Sequence, residues 1–308
     1  MKNKIPQTAK AQYELGLDYM NQFDALRNDK NENGNYIGMY FLEMARYPGL
    51  FVNADTLKII KEVDYNEELR KEYLSESYRE KILNAQELYD NGIFWIRLAA
   101  INGNMEAQYY LFEEGYDIWD TRLGINSEAF LESDAFNWCK KAAESGYSKA
   151  EVSLARHYLN VFQSILEDKS QNNDQTYEKE IFYANQVIYW YGQGIKKDNL
   201  NSIIELGMAY HDYFNDNEKA IYFLEKALEL SVKKVNEDYN VKRPYIMVHL
   251  AHVYEKKGNY HKAHNLLLEL KEYDADILGY DGQNLSSNIE RIEEILRIRE
   301  TDRTGKYF

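Results

Sequence analysis

Proline is nearly missing from this chain of 308 residues, with three in all, and glycine is modest at 16. That scarcity excludes collagen-like and low-complexity chains and leaves few helix breakers. Cys139 has no second cysteine to pair with, which agrees with a reducing compartment. Basic residues are outnumbered, 37 against 51 acidic, and the resulting charge of −14 disfavours nonspecific binding to nucleic acid or an anionic membrane. A charged partner is therefore expected to be basic. No apolar run approaches the roughly 20 residues that span a bilayer. The opening residues also lack the apolar core of a secretory signal, so the cytoplasm is the expected compartment. Local signatures of catalysis are missing too. There is no Gly-rich phosphate loop ending in Lys-Ser/Thr, no His-Glu-x-x-His, no cysteine pair and no Gly-x-Ser-x-Gly. No cofactor, no metal and no catalytic residue is expected.

What the chain does contain is apolar periodicity, at 44% hydrophobic and 29% charged residues, and self-similarity. "FWIRLAAINGNMEAQYYL" overlays "NWCKKAAESGYSKAEVSL": Trp95, Ala99, Ala100, Gly103, Ala107 and Leu111 meet Trp138, Ala142, Ala143, Gly146, Ala150 and Leu154 at one constant offset. Trp followed by Ala four residues on is one helix face, with a small residue where a neighbouring helix comes close. Glycine after it can take the left-handed cap, and the next Ala/Leu pair opens another helix. The unit is helix, tight turn, helix. Weaker copies include Phe41, Ala45, Gly49 and Leu57, then Trp190, Gly194, Ser202, Leu206 and Tyr210, with "GQGIKKDN" at 192–199 as the helix-helix turn. "Ala-Gln-Tyr" occurs at Ala11 and again at Ala107, where the first helix of a unit needs a small residue against the preceding pair. Stacked units bury one another's faces, which no single pair does alone.

The stretch "LAHVYEKKGNYHKAHNLLLEL", with Leu250, Ala251, Tyr254, Gly258, Tyr260, Ala263, Leu267 and Leu270, resembles a tetratricopeptide repeat. The earlier units, with Trp before "KAAESG" and longer spacings, are similar to SEL-one-like repeats. The expected fold is an all-α helical-repeat solenoid in a single domain, 1–308, with a repeat core over about 9–275. Irregular inserts fall at 55–91, 117–134 and 167–180. A C-terminal capping helix over 284–300 presents Ile289, Ile292 and Leu296 on one side, with Ser287 and Glu290 spaced as a capping box.

The resemblance implies that the first helix of each unit lines a concave, partner-binding surface. Carried onto this sequence, it gives Tyr13, Glu14 and Leu17, then Tyr109, Tyr110, Glu113, Tyr116 and Asp117. Later units give Glu205, Met208, His211 and Asp212, then His249, His252 and Glu255. Apart from Arg156 in the middle unit this lining is aromatic and acidic, a combination of rigid contact area and attraction for Lys and Arg. The expected function is non-catalytic protein binding. The most specific form is a cytoplasmic immunity protein that neutralises a basic toxin, since acidic repeat solenoids occur among such bacterial inhibitors; the Asn-, Lys-, Ile- and Tyr-rich wording fits a bacterial source. The alternatives are a scaffold or adaptor for peptide segments, regulatory or host-delivered, and a metal-dependent enzyme centred on His211, His249 and His252. Cys139, beside Trp138 on a packing helix, reads as a small buried hydrophobe.

Overall fold

The computed structural model describes residues 6–27, 76–122, 128–168, 174–233, 237–273 and 285–304. Among them every regular element is a helix: α1 (Ala9–Arg27), α2 (Glu76–Ile101), α3 (Met105–Arg122), α4 (Glu128–Leu131), α5 (Asp134–Glu144), α6 (Ser148–Glu167), α7 (Asp174–Ile195), α8 (Leu200–Asp212), α9 (Asn217–Lys233), α10 (Glu237–Lys256), α11 (Tyr260–Leu270) and α12 (Leu285–Thr304). Successive helices pack on one another, α6 on α7, α7 on α8, and so on to α11 on α12. This is the all-α, helical-repeat class the sequence predicts. None of these helices is long and apolar enough to cross a membrane. The copy at Phe41 to Leu57 lies outside the described residues. The helices fall into two compact units, α1 to α3 with α5, and α4 with α6 to α12.

The turns explain why the repeats break where they do. Gly103, Gly146 and Gly258 all have positive φ, at 88°, 89° and 74°. At each, the glycine N–H and the next N–H reach back to the last helical carbonyls: Gly103 to Ala100 and Asn104 to Ala99, Gly146 to Ala143 and Tyr147 to Ala142, Gly258 to Glu255 and Asn259 to Tyr254. That double bond pair is the Schellman C-cap. The α7–α8 turn makes the same pair with Asp198 at φ 53° in place of glycine, as Asp198 bonds to Ile195 and Asn199 to Gly194. So the turn is at 196–199, and Gly192 and Gly194 belong to α7 instead of the turn expected from the sequence. Gly194 is needed for closeness: a Cβ there would lie 2.0 Å from Ser202 Oγ of α8. Asn104 and Asn199 then cap the following helices, accepting from the N–H of Ala107 at 2.7 Å and Ser202 at 3.0 Å.

In the first unit, Met20, Phe23, Ala85, Ile96, Ala99, Ala100, Ala107 and Leu111 form the core, with Tyr13, Tyr110 and Trp138 packed against it. Helices α1 and α2 cross on glycines: a Cβ on Gly16 would meet Ile96 Cγ1 at 2.6 Å, and one on Gly92 would meet Met20 Sδ at 2.5 Å. Gln12 and Gln108, the shared glutamines of "Ala-Gln-Tyr", are both buried. Gln108 donates to the Ala100 carbonyl at 3.0 Å, and Gln12 accepts from Asn102 at 2.8 Å. The tripeptide therefore recurs for its glutamine as well as its alanine, since each ties the end of α2 to the helix beside it.

In the second unit, α6, α8 and α10 carry the apolar runs Leu154-Ala155-Tyr158, Ile203-Leu206-Tyr210 and Ile246-Leu250-Tyr254, all buried. The insert at 167–180 is helical from Asp174, and its Lys179 pairs with Glu128 at 2.7 Å. Helix α12 buries Leu285, Ile289 and Ile292 against α11. It is already helical at Leu285, two residues before Ser287, so Ser287 lies within the first turn and the predicted capping box does not form.

Candidate functional site

Two clusters of the expected lining residues are assembled, one in each unit. In the first, α1 supplies Tyr13, α3 supplies Glu106, Tyr109 and Glu113, and the residue after the Gly146 cap supplies Tyr147. The ring centroids of Tyr109 and Tyr147 are 5.3 Å apart, and those of Tyr109 and Phe112 5.5 Å apart. Burial, then Tyr147, Glu106 and Glu113, push the Tyr13 phenol up to about 12. Tyr147 is raised by burial and the same two glutamates. Both phenols are therefore protonated donors facing carboxylate charge. Glu113 is exposed, while Tyr13, Tyr109 and Tyr110 are half-buried. Glu14 points away to solvent and pairs loosely with Lys10 at 3.8 Å. Tyr116 and Asp117 are on α3, but their side chains lie outside the described residues.

In the second unit, burial of Ile203, Leu206 and Tyr210 turns Glu205, Met208 and Asp212 to the other side of α8. There they line a cleft of about 320 Å³ together with Arg156 and Asn160 of α6, Tyr191 of α7 and Lys242 and Tyr245 of α10. Glu205 Oε2 accepts from Arg156 Nε at 2.7 Å and from the Tyr191 hydroxyl at 2.8 Å, and its Oε1 accepts from Arg156 Nη2. Tyr191 is wholly buried, and burial followed by the Glu205 charge raises its phenol well above the ordinary value. The Tyr245 hydroxyl lies 3.2 Å from Met208 Sδ.

The remaining expected residues are used elsewhere. His211 Nδ1 lies 2.7 Å from Asn217 Oδ1 at the α8–α9 connection. His249 packs its ring on Tyr245 at 4.4 Å, and His252 is exposed. Glu255 is held by Arg291 of α12, whose guanidinium keeps that carboxyl below its usual value. Among the described residues no group of three or more His, Cys, Asp or Glu converges to hold a metal ion, so the histidine-centred alternative finds no ligand set there. Cys139 is fully buried with its thiol raised by burial, as a packing residue.

Sequence reasoning missed Glu106, Tyr147, Tyr191 and Lys242. Tyr147 stands directly after the turn glycine of the repeat template, but nothing in the spacing says that its ring meets Tyr109. A second cleft, of about 730 Å³ between α2, α3 and α5, was also missed. Its walls include Ile93, Trp138, Arg97, Lys140 and Lys141, with Lys141 Nζ 4.3 Å above the Trp138 ring. No protein-family model and no curated protein matches the chain.

Proposed function

We propose that this chain is a non-catalytic, protein-binding repeat protein of the SEL-one-like and tetratricopeptide type, and that its partner is a basic protein. In its most specific form it is a cytoplasmic immunity protein of bacterial origin that neutralises a basic toxin. The observation that supports the reading best is the cluster of Tyr13, Tyr109 and Tyr147 around Glu106 and Glu113. Protonated phenols supply π faces and rigid area, the carboxylates supply charge, and together they suit Lys and Arg side chains. A charge of −14 adds long-range steering to the encounter.

The test is co-purification from the native lysate at low and high salt, with the full chain and with a Glu106→Gln/Glu113→Gln/Tyr109→Ala variant. One basic protein, retained stoichiometrically by the parent chain and lost with the variant or at high salt, is the expected result. Retention of acidic or neutral proteins, indifferent to the variant, would overturn it. The cleft on α8 favours the second reading, an adaptor: its volume of about 320 Å³ suits a side chain or two of a peptide. An adaptor would hold several weak partners sharing one short motif, at affinities nearer micromolar than nanomolar.

A further inference from the structure

Glu205 is held from two sides that differ in kind. Behind it stands the hydroxyl of Tyr191, which is wholly buried and gives the carboxylate a fixed donor at 2.8 Å. In front of it lies Arg156, whose side chain is 53% exposed against 22% for Glu205, and which closes a two-point fork on both carboxylate oxygens. The carboxylate is thus fixed from the protein interior and covered from the solvent by a long side chain that is itself half-exposed. A pair open to solvent on its arginine side is not what holds these two helices together. The α6 and α8 helices are instead secured by fully buried Leu154, Ile203 and Leu206.

The cleft beside the pair has the lining that a second arginine would want. Leu159, Ile204, Met208 and Tyr245 offer apolar walls for its methylenes, and Asp212 brings another carboxylate from the same helix, set against one further cation, Lys242 of α10. We propose that Glu205 is a guanidinium-binding site that Arg156 occupies in the free protein, so that a partner's arginine is recognised there by displacing Arg156. This rests on the reading of a basic partner and names the side chain it presents. Exchange replaces one bidentate fork by another of the same geometry, so it costs little at the contact. An ammonium cannot reproduce the fork, so lysine should displace Arg156 poorly. Arg156 therefore acts as a threshold: only a guanidinium that arrives with further contacts takes its place.

The test uses the full chain and three small probes, N-acetyl-arginine amide, N-acetyl-lysine amide and uncharged N-acetyl-citrulline amide, followed by NMR titration of Arg Nε–H signals and by calorimetry. Arg156→Ala should bind the arginine probe at least about tenfold more tightly than the parent chain, because a carboxylate left without its charge-assisted bonds regains them from the ligand. The lysine probe should gain less and citrulline nothing. Glu205→Gln on the Arg156→Ala background should abolish the gain, and Tyr191→Phe should reduce it. Arg156→Gln serves as a second variant should the alanine form fold poorly, with the circular dichroism spectrum as the check. Equal or weaker arginine binding by both Arg156 variants overturns the exchange. If a basic partner is retained by the parent chain but Glu205→Gln leaves that retention unchanged, the exchange falls and the basic-partner reading stands. If the arginine probe behaves as expected but no basic protein is retained, the reading falls and the guanidinium site stands.

Discussion

In the unit of α1 to α3 with α5, Glu106 and Glu113 face the phenols of Tyr13 and Tyr147; in the unit that runs through α6 to α12, the carboxylates that accept from phenols, Glu205 from Tyr191 and Glu225 from Tyr254, are held by a cation as well. Glu106 and Glu113 raise the Tyr13 and Tyr147 phenols, and the Tyr89 hydroxyl lies 3.5 Å from Glu114. Against these stand Glu151 with Lys197, Glu205 with Arg156, Glu225 with Lys262, Glu255 with Arg291 and Glu269 with Arg243. The sequence is acidic along both, yet the charge is turned to different ends. Where Glu106 and Glu113 face tyrosine their charge raises the phenols, and where a carboxylate faces lysine or arginine much of its charge is answered inside the fold. Net charge alone does not map a binding surface.

The comparison can be broken by removing cations. Glu151 is 3% exposed and its partner Lys197 39%, with 2.6 Å between them. Lys197→Ala should cost about 3 kcal/mol in urea unfolding, because it leaves a buried carboxylate without its cation, and Glu151→Gln in the same chain should restore most of the loss. Lys10→Ala in the other unit, an exposed 3.8 Å pair, should cost no more than about 0.5 kcal/mol. Equal costs would erase the distinction between the two units.

Acid offers a second test. His157 is buried against Phe130 at 4.9 Å, and burial, then Arg156, push its imidazole down to about 4. The folded state thus refuses a proton that the unfolded state accepts below its ordinary value of 6.5. Stability is unaffected above pH 6.5 and falls as pH drops from 6.5 toward 4, by about 3 kcal/mol in all. Glu128 and Glu255, both lowered by their cations, are lost over a more acid range. Relative to His157→Asn, the parent chain should therefore lose its advantage between pH 6.5 and 4; parallel curves for the two proteins would contradict a neutral, buried His157.

The smallest effect belongs to the phenols. In an ultraviolet titration, Glu106→Gln/Glu113→Gln should bring Tyr13 down from about 12 without reaching the ordinary 10, since burial, the largest cause, is left in place. Tyr13→Phe identifies the signal. No change would mean that the glutamates do not face it.

Glycine and tryptophan make the hairpins legible in the sequence. Gly103, Gly146 and Gly258 mark three turns because few other residues take positive φ, and the alanines beside them mark close helix contacts. The turn expected over 192–199 is confined to 196–199, because Asp198 can take the left-handed region and Gly194 serves close packing inside α7. The lining expected from the repeat resemblance includes Tyr13, Tyr109 and Glu113, which the structure brings near one another, and Glu205 and Asp212, which line one cleft. Pairing was not legible. Lys197 and Glu151, or Arg156 and Glu205, are joined only by the way consecutive hairpins stack, and Glu255 was expected to face a partner whereas Arg291 holds it. Periodicity says which side of a helix is wet. It does not say which neighbour across the gap carries the opposite charge.

Helix α12 carries one apolar side and one charged side. It lays Leu285, Ile289 and Ile292 on α11, whose Leu267 and Leu270 are buried, ties Arg291 to Glu255 and Glu293 to His264, and leaves Glu290, Glu294 and Arg297 exposed. A stack of hairpins grows like a crystal in one dimension, each face a seed for the next layer. The charged side of α12 poisons that growth face: a neighbouring molecule that met it would have to strip water from several charges and gain little apolar area beyond the exposed Ile298 in return.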